Sequence, residues 1–427
     1  MKKIYSALIF LLFSIGMHAQ TYVSGGIFTN TTWTLSNSPY IVTNTLTLFP
    51  GDTLTIEPGV VVKFDSSVIF EVRGNLRATG TIHDSILFSS SSPNPYRGIW
   101  RGINIRDDLG GSGIFNYTVL KYGFYVLSLN WGSSGVPLNV RNSKFENNYA
   151  ASNAGATLDV IIDSCYFTNN YIAITGGNKI VTNSVFMNND YGLLIAENVD
   201  VYNCTFCGNT IALDGGRGNL QNCVIMNNGI GVRSHWEGFT NVSGNIISEN
   251  DTGIMLTSSG VISNGLSINN KICNNYYYDL INWSYANIAI PNNCWCDTDS
   301  LTIANKIYDG YDNVTYGLID FNPVLNCDTS ALPDSTPCDG FFTKIVSATL
   351  QNNVIEIFPN PASEKLHIIS SGKISQLRIF DLPGKELLLQ NVNKLEFEIN
   401  TRFFSPGIYF IQLEMENDIV VKKFIKK

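Results

Sequence analysis

The feature that most limits the fold is a repeat of about 20 residues that runs from position 138 to position 284. Seven units align on a large apolar residue, here called position zero: Phe145, Phe167, Phe186, Phe206, Ile225, Ile247 and Ile272. Every unit has asparagine at position +3: Asn148, Asn170, Asn189, Asn209, Asn228, Asn250 and Asn275. Position +6 is small in all units except the last: Ala151, Ala173, Gly192, Ala212, Gly231, Gly253 and Tyr278. Position −5 is β-branched or Leu in all but the last: Val140, Ile162, Val181, Val201, Leu220, Val242 and Ser267.

Units this short, without helical periodicity, are typical of coils built from three short strands separated by bends. One coil cannot fold alone, because ordering its residues costs roughly 1 to 2 kcal/mol each while each inward side chain returns only about 1.5 to 3 kcal/mol. Stacked coils share a core and pair edge to edge. The sequence therefore predicts an all-β chain whose residues 20–325 form a right-handed parallel β-helix, a solenoid, with a C-terminal cap.

We expect the asparagine column at +3 to be structural. Asparagine tolerates the left-handed backbone conformation of a tight bend, and stacked amides can hydrogen-bond from coil to coil.

The N-terminus indicates export. Lys2 and Lys3, an apolar run over 7–13 and Ala19 predict a signal peptide over 1–19. The run is shorter than the roughly 20 residues that span a bilayer, so we expect no transmembrane segment in the mature protein. Positions 20–354 hold 15 basic and 26 acidic residues, a balance that disfavours nucleic acid as a partner.

Seven of the nine cysteines fall into two groups. Cys165, Cys204 and Cys223 lie two residues before position zero, where we expect small buried side chains. Beyond the repeat lie Cys294, Cys296, Cys327 and Cys338. In an exported protein disulfides are the first interpretation of that group, and a four-thiolate zinc site is the second.

Segments 54–60 (LTIEPGV), 74–80 (GNLRATG) and 86–88 (ILF) resemble the N-terminal coils of exported bacterial β-helix repeat proteins. The segment 292–296 (NNCWC) resembles the closing segment of such helices. Several acidic residues of this region are alternatively calcium ligands: Asp297, Asp299, Asp309, Asp312 and Asp320. No other cofactor is expected.

After a linker over 326–353, residues 354–427 alternate as about seven antiparallel strands do, which predicts a small β-sandwich. Its motifs are FPNPA (Phe358, Pro359, Asn360, Pro361, Ala362), LRIFD over 377–381 with Gly384, SPGIY with Pro406, Gly407 and Tyr409, and a basic C-terminus. They resemble the type A C-terminal sorting domain of the type IX secretion system. The resemblance implies export across the outer membrane by the translocon and its surface processing machinery. Removal of the domain would then leave the protein attached to the cell surface or released.

Stacking predicts one cluster of side chains that could carry function. Asp214 and Arg233 both fall at position +8, and Glu197, Arg217 and Trp236 fall at +11, with His235 and Glu237 beside Trp236. The candidate catalytic residues are Arg217, Arg233, His235 and Glu237, and the candidate ligand-binding residues are Glu197, Asp214 and Trp236. The structural alternative for this cluster is a surface ion-pair ladder.

Two functions follow. We favour a non-catalytic glycan-binding or adhesive and structural module, because parallel β-helices alone do not license an activity. The alternative is a polysaccharide lyase or glycoside hydrolase acting on an acidic polysaccharide, in which Arg would hold a carboxylate and a neighbouring base would remove a proton.

Overall fold

The structure is a computed structural model, and it describes residues 20–129, 138–154, 160–234, 238–257, 267–326, 355–360, 362–381, 386–415 and 418–427. The chain forms two compact units that divide near residue 349. The N-terminal unit contains a parallel β-solenoid of about 11 turns, and the C-terminal unit is an antiparallel sheet. Both architectures are those that the sequence predicts.

The solenoid strands lie on three faces. The first face contains Thr31–Trp33, Thr53–Ile56, Asn75–Thr79, Ser112–Asn116, Leu138–Arg141, Val160–Asp163, Lys179–Thr182, Asn219–Gln221, Asn241–Ser243 and Ser267–Ile268. The second face contains Val61–Phe64, Ile86–Ser90, Thr118–Lys121, Lys144–Glu146, Tyr166–Thr168, Val185–Met187, Thr205–Cys207, Val224–Met226, Ile246–Ser248 and Lys271–Cys273. The third face contains Ile69–Val72, Gly102–Ile105, Tyr125–Leu129, Ala150–Ala154, Ile172–Gly176, Ile211–Arg217, Ile230–Ser234, Thr252–Leu256, Tyr278–Asn282 and Ile307–Tyr308. Strands Thr21–Ile27 and Tyr40–Leu48 cross the second and third faces, and Tyr191–Tyr202 crosses the third and first.

The predicted register is confirmed. Phe145, Phe167, Phe186 and Phe206 are successive partners on the second face, and the column continues through the isoleucines to Ile272. Neighbouring phenylalanine rings stack with centroids 4.6–4.8 Å apart. All of these side chains are buried, so the column is a continuous apolar row inside the solenoid.

The +3 asparagines form a buried amide ladder. The backbone N–H and the Nδ2 of Asn148 donate to Oδ1 of Asn170 at 2.9 and 3.0 Å, and every later coil repeats this pair of bonds down to Asn275. The last acceptor is Asp279, whose Oδ1 receives the Nδ2 of Asn275 at 2.8 Å. The expected coil-to-coil hydrogen bonding is therefore present.

The left-handed bend that we expected at +3 lies one residue earlier. Position +2 has a positive φ in each of the seven coils: Asn147, Asn169, Asn188, Gly208, Asn227, Glu249 and Asn274. The +3 asparagines do not have positive φ, because their side chains must point into the coil to build the ladder. In each Asn-Asn pair, the first residue therefore adopts the left-handed bend and the second supplies the amide of the ladder.

Position −2 builds a second polar column that the sequence did not reveal. Cys165, Cys204 and Cys223 are buried free thiols, as predicted, and Sγ of Cys204 and Sγ of Cys223 each accept a backbone N–H from the preceding coil. Asn245, Asn270 and Asn293 continue the column as a short amide ladder.

The C-terminal end of the solenoid is closed by a cap. It contains helix α1 (Ser300–Ala304) and the paired strands Ile288–Ala289 and Ile319–Asp320. Trp295 is buried against the last coils and contacts Phe321 at 6.1 Å between ring centroids. The cap thus covers apolar core that would otherwise face water. Two short 3-10 helices, Leu35–Asn37 and Asp107–Leu109, occupy turns.

The C-terminal unit is a five-stranded antiparallel sheet shaped as a half-barrel. Its strands are Ile355–Phe358, Lys365–Asp381, Glu386–Asn400, Gly407–Met415 and Asp418–Lys426. We expected about seven shorter strands. The number is smaller because Lys365–Asp381 and Glu386–Asn400 each stay one strand through register irregularities between Ile369 and Gln376.

Candidate functional site

Asp214 and Arg233 lie side by side on the outer surface of the third face, as the repeat predicts. Arg233 Nε donates to Asp214 Oδ1 at 2.8 Å, and Arg233 Nη2 donates to Asp214 Oδ2. Asp214 is only 2% exposed. The hydrogen bonds to Asp214 raise the pKa of Arg233 above its ordinary value, and Tyr191 acts in the same direction. Two N–H groups of the Arg233 guanidinium therefore already donate to a partner within the protein.

Arg217 is the further member of the predicted cluster whose side chain the structure describes. Arg217 is exposed, and its backbone partner is Asn198, one residue beyond Glu197, because the register shifts between Ile195 and Asn198. His235, Trp236 and Glu237 lie outside the described residues, as does the side chain of Glu197. Their roles stay predictions.

The acidic residues of the cap hold turns. Asp299 caps helix α1 by accepting the Thr302 N–H at 3.0 Å, and Asp297 accepts the N–H groups of Thr298 and Asp299. Asp309 accepts the N–H groups of Tyr311 and Ile319.

The Asp309 N–H in turn donates to Asp312. Within the described ranges no group of three His, Cys, Asp or Glu side chains is arranged to hold a metal. The calcium site stays a prediction.

Two of the cysteines beyond the repeat, Cys294 and Cys296, are oxidised. Cys273 and Cys296 form a disulfide with Cα atoms 5.8 Å apart, and Cys207 and Cys294 are also disulfide-bonded. The disulfide interpretation is thus right for Cys294 and Cys296, and the zinc alternative is wrong because these sulfurs are not thiolates. The sequence did not identify Cys207 or Cys273 as members of the group. Cys327 and Cys338 lie outside the described residues.

A cleft of about 690 Å³ opens in the cap, and the sequence did not predict it. We call it the cap cleft. Its walls include Asn287, Leu301, Tyr311, Leu318, Asp320, Phe321 and Asn322. Tyr311 is 86% exposed and Leu301 is 69% exposed.

Further aromatic side chains are exposed at the same end of the solenoid: Tyr276, Tyr277, Trp283 and Tyr285. The available signal was composition, since seven of the 20 tyrosines fall between Tyr276 and Tyr316. Exposed apolar rings grouped in this way mark binding surfaces.

The sorting-motif residues hold turns and packing in the C-terminal unit. Phe358 stacks on His367 with centroids 5.4 Å apart, and Pro359 and Asn360 are exposed. Pro406 and Gly407 lead into a strand in which Tyr409 is buried, with its hydroxyl donating to the Ser405 carbonyl at 2.6 Å. Pro361 and Gly384 lie outside the described residues.

Comparison with known proteins identifies this unit. No curated protein matches the chain. None of the helices in the described part of the chain has the length and apolar character needed to cross a membrane. Residues 356–427 match the family described as the secretion system C-terminal sorting domain. The protein is therefore a β-solenoid that carries a type IX sorting tail and is exported to the cell surface or the extracellular space.

Proposed function

We propose that the solenoid is a non-catalytic binding module that takes a neutral glycan in the cap cleft. The observation that carries the proposal is the ring of Tyr311, which is 86% exposed on the wall of the cleft. A tyrosine ring combines a large apolar surface with a polar hydroxyl and contributes contact area where one side is wet. The apolar C–H face of a sugar fits such a ring.

The rest of the lining supports the same ligand class. Leu301 and Phe321 offer apolar contact, and Asn287, Asp320 and Asn322 place amide and carboxylate groups on the rim. Amides both donate and accept hydrogen bonds, and carboxylates accept them, which suits sugar hydroxyls. The lining holds a carboxylate and, among the described residues, no Lys, Arg or His. We therefore favour a neutral glycan over an acidic one.

The enzymatic alternative receives no comparable support. A lyase or hydrolase of acidic polysaccharides would use Arg233 to hold a substrate carboxylate, but Arg233 already holds Asp214 with two donors. A substrate would have to displace a buried internal partner, which leaves an uncompensated charge.

Binding of the purified protein to a panel of neutral and acidic polysaccharides, followed by calorimetry, tests the proposal. Tyr311→Ala should weaken binding of the neutral ligand by about twofold to tenfold, because an aromatic contact is worth about 0.5 to 1.5 kcal/mol. Tyr285→Ala is the matched control, since Tyr285 is 79% exposed but does not line the cleft.

Equal loss of binding in both variants would exclude the cap cleft as the binding site. Unsaturated products or new reducing ends in the same incubations would show catalysis and contradict it.

A further inference from the structure

The first strand of the solenoid has an open edge. Strand Thr21–Ile27, which we call the edge strand, pairs along one side with Tyr40–Leu48 of the next coil. Among the strands that the structure describes, none pairs with its other side. The cap covers the opposite end of the solenoid, so the two ends differ. An open strand edge is a template for pairing with another strand.

The inward side chains of the edge strand show the same opening. Val23 and Ile27 are only partly buried, although their register partners Val42 and Leu48 in the next coil are fully buried. One further strand stacked on the open edge would remove Val23 and Ile27 from water, as the edge strand does for Val42 and Leu48.

The backbone groups on the open edge belong to Tyr22 and Gly26. The Thr21 N–H donates to a carbonyl of the next coil, and the Ile27 carbonyl accepts an N–H from it, each at 3.0 Å. Successive residues of a strand direct their N–H and C=O groups to opposite edges. Tyr22 and Gly26 therefore direct theirs away from the solenoid, where a partner strand can pair with them.

This end of the solenoid lacks the charges that normally keep strand edges apart. Natural edge strands are protected by lysine, by inward-pointing charges or by proline, and the edge strand contains none of these residues. Residues 20–51 contain no Asp, Glu, Lys, Arg or His, although 15% of the chain is charged. Two copies of this end can therefore approach each other without like-charge repulsion, although the whole chain has a net charge of −8.

We propose that two copies of the protein join end to end, with their edge strands paired antiparallel about a two-fold axis at Ser24. In this register the edge-facing Tyr22 of one copy lies opposite the edge-facing Gly26 of the other. The two-fold axis makes each contact occur twice. The backbone groups that face the open edge thus find partners in both copies.

The side chains of the edge strand fit the same register. Tyr22 is 67% exposed and Phe28 is 66% exposed. The Phe28 ring stacks on Phe49 with centroids 4.3 Å apart, and it occupies the space into which a Cβ at Gly26 would project. Tyr22 of the second copy would therefore meet the Phe28 ring, which removes both aromatic side chains from water. Because the edge strand supplies both halves of this contact, a second copy fits better than a strand of unrelated sequence.

The dimer would carry its two cap clefts at opposite ends. Each solenoid has about 11 turns at about 4.8 Å per turn, which places the clefts roughly 100 Å apart. On the proposed glycan-binding function, which this consequence assumes, the dimer would bridge two separate glycan chains.

Sedimentation velocity of the purified exported protein over a range of concentrations tests the proposal without any glycan. We expect a dimer that dissociates on dilution. Ser24 is exposed, and Ser24→Lys places like charges beside the two-fold axis, so it should raise the dimer Kd about tenfold or more. Ser66→Lys adds the same charge at an exposed serine two coils from the open edge. This matched control should leave the dimer Kd unchanged.

Charge complementation keeps the test independent of folding. Ser24→Asp should weaken the dimer as Ser24→Lys does, and an equimolar mixture of the two variants should restore it, because opposite charges then meet at the axis. Misfolded variants could not give this recovery. A wild-type protein that stays monomeric at every concentration would overturn the proposal. So would a dimer that Ser24→Lys leaves intact, or a mixture that does not recover.

Discussion

Arg233 neutralises a carboxylate that the fold has almost completely removed from water. Asp214 is 2% exposed and receives two donors from Arg233. Breaking a buried pair by removing one partner is far more costly than removing both, because the remaining charge has no compensation.

Arg233→Ala should therefore lower the free energy of unfolding by about 3 to 5 kcal/mol. Asp214→Ala/Arg233→Ala should recover a large part of that loss. Urea denaturation of the two variants and the wild type measures both effects. A single variant as stable as the wild type would mean that the pair is open to solvent, and would make Arg233 a candidate ligand-binding residue again.

Asp279 ends the amide ladder and makes the free energy of unfolding of the protein depend on pH. Burial is the main cause that raises the pKa of its carboxyl, and hydrogen bonds from Asn275 oppose the rise only in part. The folded protein thus favours the protonated form. The stabilising contribution is complete below the ordinary pKa of an aspartate, and it is lost as the pH rises through the raised value.

Asp279→Asn keeps an oxygen acceptor for Asn275 and cannot ionise. We expect it to stabilise the protein near pH 7 by on the order of 1 kcal/mol, with no difference near pH 3. Urea unfolding at the two pH values measures the change. Asp251→Asn, at an exposed position, is the control and should alter neither value. Stabilisation that persisted at pH 3 would exclude ionisation as its cause.

At the residue scale, the spacing of the repeat predicted which residues contact each other but not their burial or their backbone conformation. Phe145 and Phe167 stack as the repeat requires, and Asp214 meets Arg233. The burial of Asp214 did not follow from spacing, because it depends on residues from neighbouring coils. The bend was assigned to Asn148 instead of Asn147, because spacing cannot distinguish two adjacent asparagines with different backbone angles.

At the scale of a strand, Met226 and Ile180 are a buried and an exposed outward position. The side chain of Met226 points outward on the second face but is fully buried. Met226→Asp should therefore destabilise the protein by about 3 kcal/mol or more, because it buries a charge without a partner.

Ile180→Asp, at an outward position of the first face that is 39% exposed, should change stability by less than about 0.5 kcal/mol. Thermal unfolding of the two variants gives the comparison. Equal tolerance at both positions would contradict the burial of Met226.

Strand pairing was predicted well where the repeat is regular and less well elsewhere. In the C-terminal unit, about seven strands were predicted, whereas cross-strand pairing keeps Lys365–Asp381 continuous and leaves five. In the last solenoid coil, Tyr278 pairs with Thr252, and Asp279 takes the place opposite Gly253. This coil has one extra residue before that strand, so its position +6 no longer lies opposite position +6 of the preceding coil. Spacing alone could not reveal this shift.

At the scale of the molecule, the solenoid and the sorting domain are separate units in sequence. We expect deletion of 354–427 to leave the solenoid in the periplasm, because the sorting domain carries the export signal recognised at the outer membrane. Fractionation with detection of an internal tag measures the distribution. Fusion of 354–427 to an unrelated exported carrier is the reciprocal control, and a truncated protein that reached the surface normally would contradict the prediction.

The sequence predicted the architecture of the molecule better than its site. The repeat and the C-terminal motifs each have a periodic or local signature, so the solenoid and the sorting domain could be recognised. The cap cleft depends on how α1 and two short strands fold together after the repeat has ended. Such packing between dissimilar elements leaves no pattern in the order of residues.

The amide ladder gives the solenoid a way to change its length. Each asparagine supplies the acceptor that the preceding one needs, so an inserted coil would meet the same surfaces above and below as the coils beside it. Because a carboxylate terminates the series once, the number of rungs before it is free to vary. Duplication of 190–209 would extend the solenoid by about 4.8 Å, so its length would change in steps of one whole coil.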